Sequence, residues 1–103
     1  ADVFEMYGKQ DKLNTPVRVD KKLYISGNTG KSGETVAVSV FSKSIDEILT
    51  NPTELLKNAV YFGEVTTKQD GSYSIEVILN KESDVYSVRI GGNSAGVSDR
   101  EVK

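Results

Sequence analysis

The stretch AVYFGEVTTKQDGSYSIEVIL, Ala59 to Leu79, decides how this sequence is read. Two runs rich in β-branched and aromatic residues flank a polar centre, Lys68-Gln69-Asp70-Gly71, and the pattern predicts a β-hairpin. Gly71 accepts a positive φ at no steric cost and Asp70 can hydrogen-bond its own backbone, so the pair signals a turn. On the outgoing arm Tyr73, Ile75, Val77 and Leu79 share one parity and Ser74, Glu76 and Asn80 the other, the period of a strand with one buried face. Ile78 breaks that rule. On the incoming arm Val60 and Phe62 share one parity and Tyr61 and Val65 the other. A bulge or close backbone approach at Gly63 is therefore expected to exchange the faces.

Further strands follow on both sides. Thr35 to Phe41 alternates Val36, Val38 and Val40 against Thr35, Ala37 and Ser39. Val17 to Val19 follows Pro16, which suits an edge, and Leu23 to Ser26 places Leu23 and Ile25 on one face. Val85 to Ile90 turns Tyr86, Val88 and Ile90 inward. Val97 to Val102 reads as a last edge strand guarded by Asp99, Arg100 and Glu101. Val3 to Met6 suggests a first strand, although residues 1–22 carry the weakest periodicity.

Between Ser44 and Asn58 the period becomes helical. Ile45, Ile48 and Leu49 are spaced i, i+3 and i+4, and Leu55, Leu56 and Ala59 repeat the spacing. Asn51, Pro52 and Glu54 resemble a capped helix start, giving two short turns, Ser44 to Leu49 and Pro52 to Asn58, docked through Ile48, Leu55 and Leu56. The fold expected is an antiparallel, immunoglobulin-like β-sandwich of about seven strands with a helical insert at 44–58. Its core should contain Ile25, Val36, Val38, Val40, Ile75, Val77, Val88 and Ile90.

At 103 residues the chain is one domain, with enough surface to bury for a single core. It has no Cys and no His, which removes thiolate chemistry, disulfides, imidazole bases and the common zinc sites. Thirteen basic and 15 acidic residues leave a net charge of −2 without a basic stripe, so nucleic acid is not an expected partner. No apolar run approaches the ~20 residues that span a bilayer, so no membrane insertion is expected.

The segments Leu23-Tyr24-Ile25-Ser26-Gly27, Gly30, Gly33 to Val36, Gly63, Asp70 to Ser74 and Tyr86 to Gly92 together resemble bacterial immunoglobulin-like accessory modules. Such modules recur in large secreted or surface-anchored Gram-positive proteins, polysaccharide-degrading enzymes among them. The likeness covers Leu23 to Val102. It implies an extracellular or cell-surface location, neighbouring domains of the same polypeptide as partners, no cofactor, and a domain that is monomeric in isolation. It supplies no site residues.

Residue constellations add little chemistry. Gly30-Lys31-Ser32 ends like a phosphate-binding loop, but Ile25 stands where the motif needs Gly and a strand follows where it needs a helix. Asp46-Glu47 and Glu82/Asp84 are the closest carboxylate pairs, in segments that read as exposed, without the cleft that glycosidase chemistry requires. Asp70, Asp84, Asn93 and Asp99 read as loop residues but lack the ligand spacing of a calcium loop. Of five tyrosines, Tyr73 and Tyr86 share parity with inward residues. Tyr24 and Tyr61 fall on the opposite parity from Leu23/Ile25 and Val60/Phe62 and are the candidate sugar-stacking pair. The expected function is a non-catalytic spacer or supporting module. The alternatives are weak carbohydrate binding through Tyr24 and Tyr61, or assembly through an exposed sheet edge or the helical insert.

Overall fold

A computed structural model describes residues 12–50, 53, 57–92 and 96–103. Among these residues seven strands form two antiparallel sheets: β1 (Val17–Val19), β2 (Lys22–Asn28), β3 (Thr35–Phe41), β4 (Ala59–Thr66), β5 (Ser72–Ile78), β6 (Tyr86–Gly92) and β7 (Gly96–Val102). Among the described residues one α-helix, α1 (Ile45–Thr50), lies between β3 and β4. The three-stranded sheet has the order β1-β2-β5 and the four-stranded sheet β4-β3-β6-β7. This is the immunoglobulin-like order, except that the fourth strand bonds to the third rather than joining the fifth as in constant-type domains.

The 59–79 stretch thus holds two strands and a turn, but not a hairpin: β4 and β5 belong to different sheets. The turn itself is as read. Gly71 has φ 86°, its N–H donates to the Lys68 carbonyl at 2.9 Å, and Ser72 N–H donates to Asp70 Oδ1 at 3.0 Å. The five residues 67–71 are long enough to cross the ~10 Å between packed sheets. Each arm then finds its ladder elsewhere, β4 on β3 and β5 on β2, with the core held between them.

That core consists of Leu13, Leu23, Ile25, Val36, Val38, Val40, Tyr73, Val77, Leu79, Tyr86, Val88 and Ile90. It contains seven of the eight residues expected from parity; Ile75 is half-buried and packs against the same cluster. Tyr86 stands at the start of β6 and its hydroxyl donates back to the Lys81 carbonyl at 2.5 Å. A tyrosine so placed, bonding to the backbone just upstream, is the tyrosine corner of immunoglobulin-like sandwiches.

Register runs unbroken through Gly63, opposite Val38, and shifts instead between Val40 and Phe41, which face Tyr61 and Ala59. The extra residue is therefore Val60, not Gly63. Gly63 does accommodate a close approach, but by a side chain: a Cβ there would lie 2.0 Å from the Tyr61 hydroxyl oxygen. Because the bulge puts Val60 and Tyr61 both against the core, Tyr61 is half-buried rather than exposed, and Phe62 is the residue turned outward.

Helix α1 lies where the spacing of Ile45, Ile48 and Leu49 puts a helical turn, and the structure adds a cap at Ser44. Ser44 Oγ accepts from Glu47 N–H at 3.3 Å and donates to Glu47 Oε1 at 3.0 Å, a reciprocal cap, while Glu101 Oε2 on β7 accepts from Ile45 N–H at 3.0 Å. Ile48 is buried and Leu49 exposed. The expected strand at Val3 to Met6, the Asn51 cap with Pro52 and Glu54, and the docking of Leu55 and Leu56 lie outside the described residues. No helix among the described residues is long and apolar enough to cross a membrane.

Candidate binding surface on the three-stranded sheet

The outward positions of β1, β2 and β5 form rows fixed by register: Val17–Tyr24–Glu76, Val19–Lys22–Ile78 and Ser26–Ser74. A one-residue slip would exchange this face with the core, and the burial of Leu23, Ile25 and Val77 forbids it. Val17, Val19, Tyr24 and Ile78 are 57%, 52%, 41% and 57% exposed, an apolar group on an otherwise polar sheet. Lys22 Nζ lies 3.3 Å from Glu76 Oε1 across its middle.

Tyr24 borders two open clefts. One, of about 310 Å³, is shared with Ser26, Ser74 and Glu76; the other, of about 750 Å³, with Arg18, Val19, Lys21 and Lys22. A third, of about 720 Å³, lies beyond Arg18 against Lys81 and Tyr86, where the Arg18 guanidinium sits 4.9 Å from the Tyr86 ring centre. An exposed phenol ring beside two serines, a lysine and a carboxylate offers a flat apolar platform with donors and acceptors at its rim.

Tyr61 does not join this surface, because it sits on β4 in the other sheet and packs inward. The exposed aromatic of that sheet is Phe62, which meets Phe41 edge to face at 5.7 Å and 78°. Parity assigned Phe62 inward; only the bulge at Val60 corrects it, and nothing in the local sequence marks a bulge there.

The remaining candidates resolve into structural roles. Glu47 serves the α1 cap and lies 3.7 Å from Lys43; Glu82 and Asp84 are exposed. Asp99 lies on β7 opposite Arg89 rather than in a loop; it binds Arg89 through two bonds, at 2.7 and 3.2 Å, and holds the guanidinium above its ordinary pKa. The Asp70 carboxyl is held below its usual range by bonds from the Ser72 hydroxyl and N–H. Asn93 lies outside the described residues, and among those described no three acidic residues gather as a metal site. Gly30 and Lys31 belong to the connection between β2 and β3, tied by Asn28 Oδ1 to Gly30 N–H at 2.7 Å.

Fold and surface together define a class, an immunoglobulin-like β-sandwich with three strands packed on four. No protein-family model and no curated protein matches the chain.

Proposed function

We propose that this chain is a non-catalytic module of a longer extracellular or cell-surface polypeptide, where it spaces and supports neighbouring domains. The observation that carries the reading is how the sandwich is braced along its length. Lys12 accepts the Tyr73 hydroxyl, and Asn14 N–H donates to Ser26 at 2.9 Å, which places this segment near the end where β2 passes to β3. β7 runs from Gly96, opposite Gly92, to Val102, opposite Tyr86, and so finishes at the other end. Between these points the fold is an elongated body measuring 41 × 26 × 22 Å. The segment before β1 and the last strand are both tied to the rest, by Arg100 Nε to the Leu13 carbonyl at 3.0 Å and by Ile45 N–H of α1 to Glu101 Oε2 at 3.0 Å. The extracellular setting rests on the family resemblance.

Small-angle scattering from two copies joined head to tail provides the test. A rod whose maximum dimension approaches roughly twice that of one copy is expected. A side-by-side pair no longer than a single copy would overturn the spacer reading.

The exposed Tyr24, with Ser26, Ser74 and Glu76 at its rim, favours weak carbohydrate binding as the second reading. It expects saturable binding of a soluble polysaccharide that Tyr24→Ala abolishes. No binding up to about millimolar ligand, the weak end of specific affinities, removes it.

A further inference from the structure

The ladder between β2 and β5 shows which backbone groups of β5 remain open. At its two ends Thr29 N–H donates to the Gly71 carbonyl at 3.0 Å and Leu79 N–H to the Lys21 carbonyl at 2.7 Å. Antiparallel pairs alternate between bonded and non-bonded, so with this register the bonded residues of β5 are Tyr73, Ile75 and Val77. The N–H and C=O of Ser74, Glu76 and Ile78 therefore point away from β2. Among the described residues β5 is the last strand of its sheet, and β4, across the same side, bonds to β3.

The other three edges carry devices against strand addition. β1 has three residues and follows the buried Pro16. β4 is bulged at Val60 and turns Glu64 outward. β7 carries Asp99, Arg100 and Glu101 in succession. β5 has seven residues with no proline, glycine or register shift, and its single charge, Glu76, is drawn back over its own sheet by Lys22.

We propose that β5 pairs antiparallel with β5 of a second copy of this chain about a two-fold axis, merging two three-stranded sheets into one of six. An edge whose donors and acceptors lie on the same residues is complementary to itself, as an isologous contact requires. Charge selects the register. An axis through Glu76 would set two carboxylates face to face, whereas an axis through Ile75 sets Glu76 opposite Ser74 of the second copy, a hydroxyl that can donate to it. The ladder stops there, because both backbone groups of Ser72 are engaged, its carbonyl by Lys68 N–H and its N–H by Asp70. About four ladder bonds make a small contact, so association is weak and depends on concentration. This pairing is independent of the spacer reading, since a tandem can be rod-like whether or not it associates sideways.

Sedimentation equilibrium from about 10 µM to about 1 mM, with amide exchange measured across the same range, tests it. The expected result is a mass rising above 11.2 kDa with concentration, together with slowed exchange at the Ser74 and Glu76 amides. Ser74→Pro removes an outward N–H without touching the bonds to β2, and Ser74→Glu sets a carboxylate against Glu76; each should weaken association by about tenfold or more. Phe62→Glu, on the β4 side, should leave it unchanged. A mass constant at 11.2 kDa with no change in exchange overturns the proposal. So does association that survives in whichever Ser74 variant folds, or that is lost in Phe62→Glu.

Discussion

Tyr73 shows how much a single buried polar atom can be asked to do. The side chain is 2% exposed and its hydroxyl donates to the Lys12 carbonyl, so burial of the ring also secures the segment ahead of β1. Burial pushes the phenol up to about 12. Because the folded value lies above the unfolded one, near 10, the stabilisation is complete below about pH 10 and is lost as pH rises toward 12. Urea titrations at pH 8 and pH 11.5 should show a loss larger by about 1–3 kcal/mol for the wild type than for Tyr73→Phe. Equal losses would place the titrating group elsewhere. At this scale the sequence was readable where its period held: Tyr73 and Tyr86 were assigned inward by parity and are buried. It failed at Val60, where one extra residue reversed the faces of Tyr61 and Phe62, since a bulge depends on the strand opposite and leaves no local mark.

At the scale of elements, two connections that cross between the sheets hold each other in place. Residues 29–34 lead from β2 to β3 and residues 67–71 from β4 to β5, and they lie side by side. Thr67 is the tie between them: its hydroxyl donates to the Lys31 carbonyl at 2.6 Å and accepts Glu34 N–H at 2.8 Å, while its backbone N–H donates to Glu34 O at 2.8 Å. Gly71 is required by the same contact, since a Cβ there would lie 2.8 Å from Gly30 N. Replacing Thr67 by Val keeps the shape and removes both hydroxyl bonds, one of them to a backbone N–H. A loss of about 1–3 kcal/mol in urea unfolding is expected, largely avoided in Thr67→Ser. A neutral Thr67→Val would mean that the two connections hold without the tie. Lys68-Gln69-Asp70-Gly71 announced a turn, but its joining to residues 29–34 is a contact between segments nearly 40 residues apart, which no local pattern encodes.

At the scale of the whole molecule, the edge that β5 leaves open among the described residues follows from which strand pairs with which. The sequence by itself determined the class of fold, the seven described strands within a residue or two, the Asp70-Gly71 turn, the helical turn that begins near Ser44 and most of the core. These depend on side-chain period and on turn and cap chemistry, which act over a few residues. Only the tertiary structure decided that β4 and β5 part into different sheets, that Tyr24 and Tyr61 lie on separate surfaces, and that Ser74, Glu76 and Ile78 present an open backbone edge. A strand's period says which side chains must leave water but not which neighbour will take its hydrogen bonds. That choice falls to the arrangement in which every apolar face meets another across a single core.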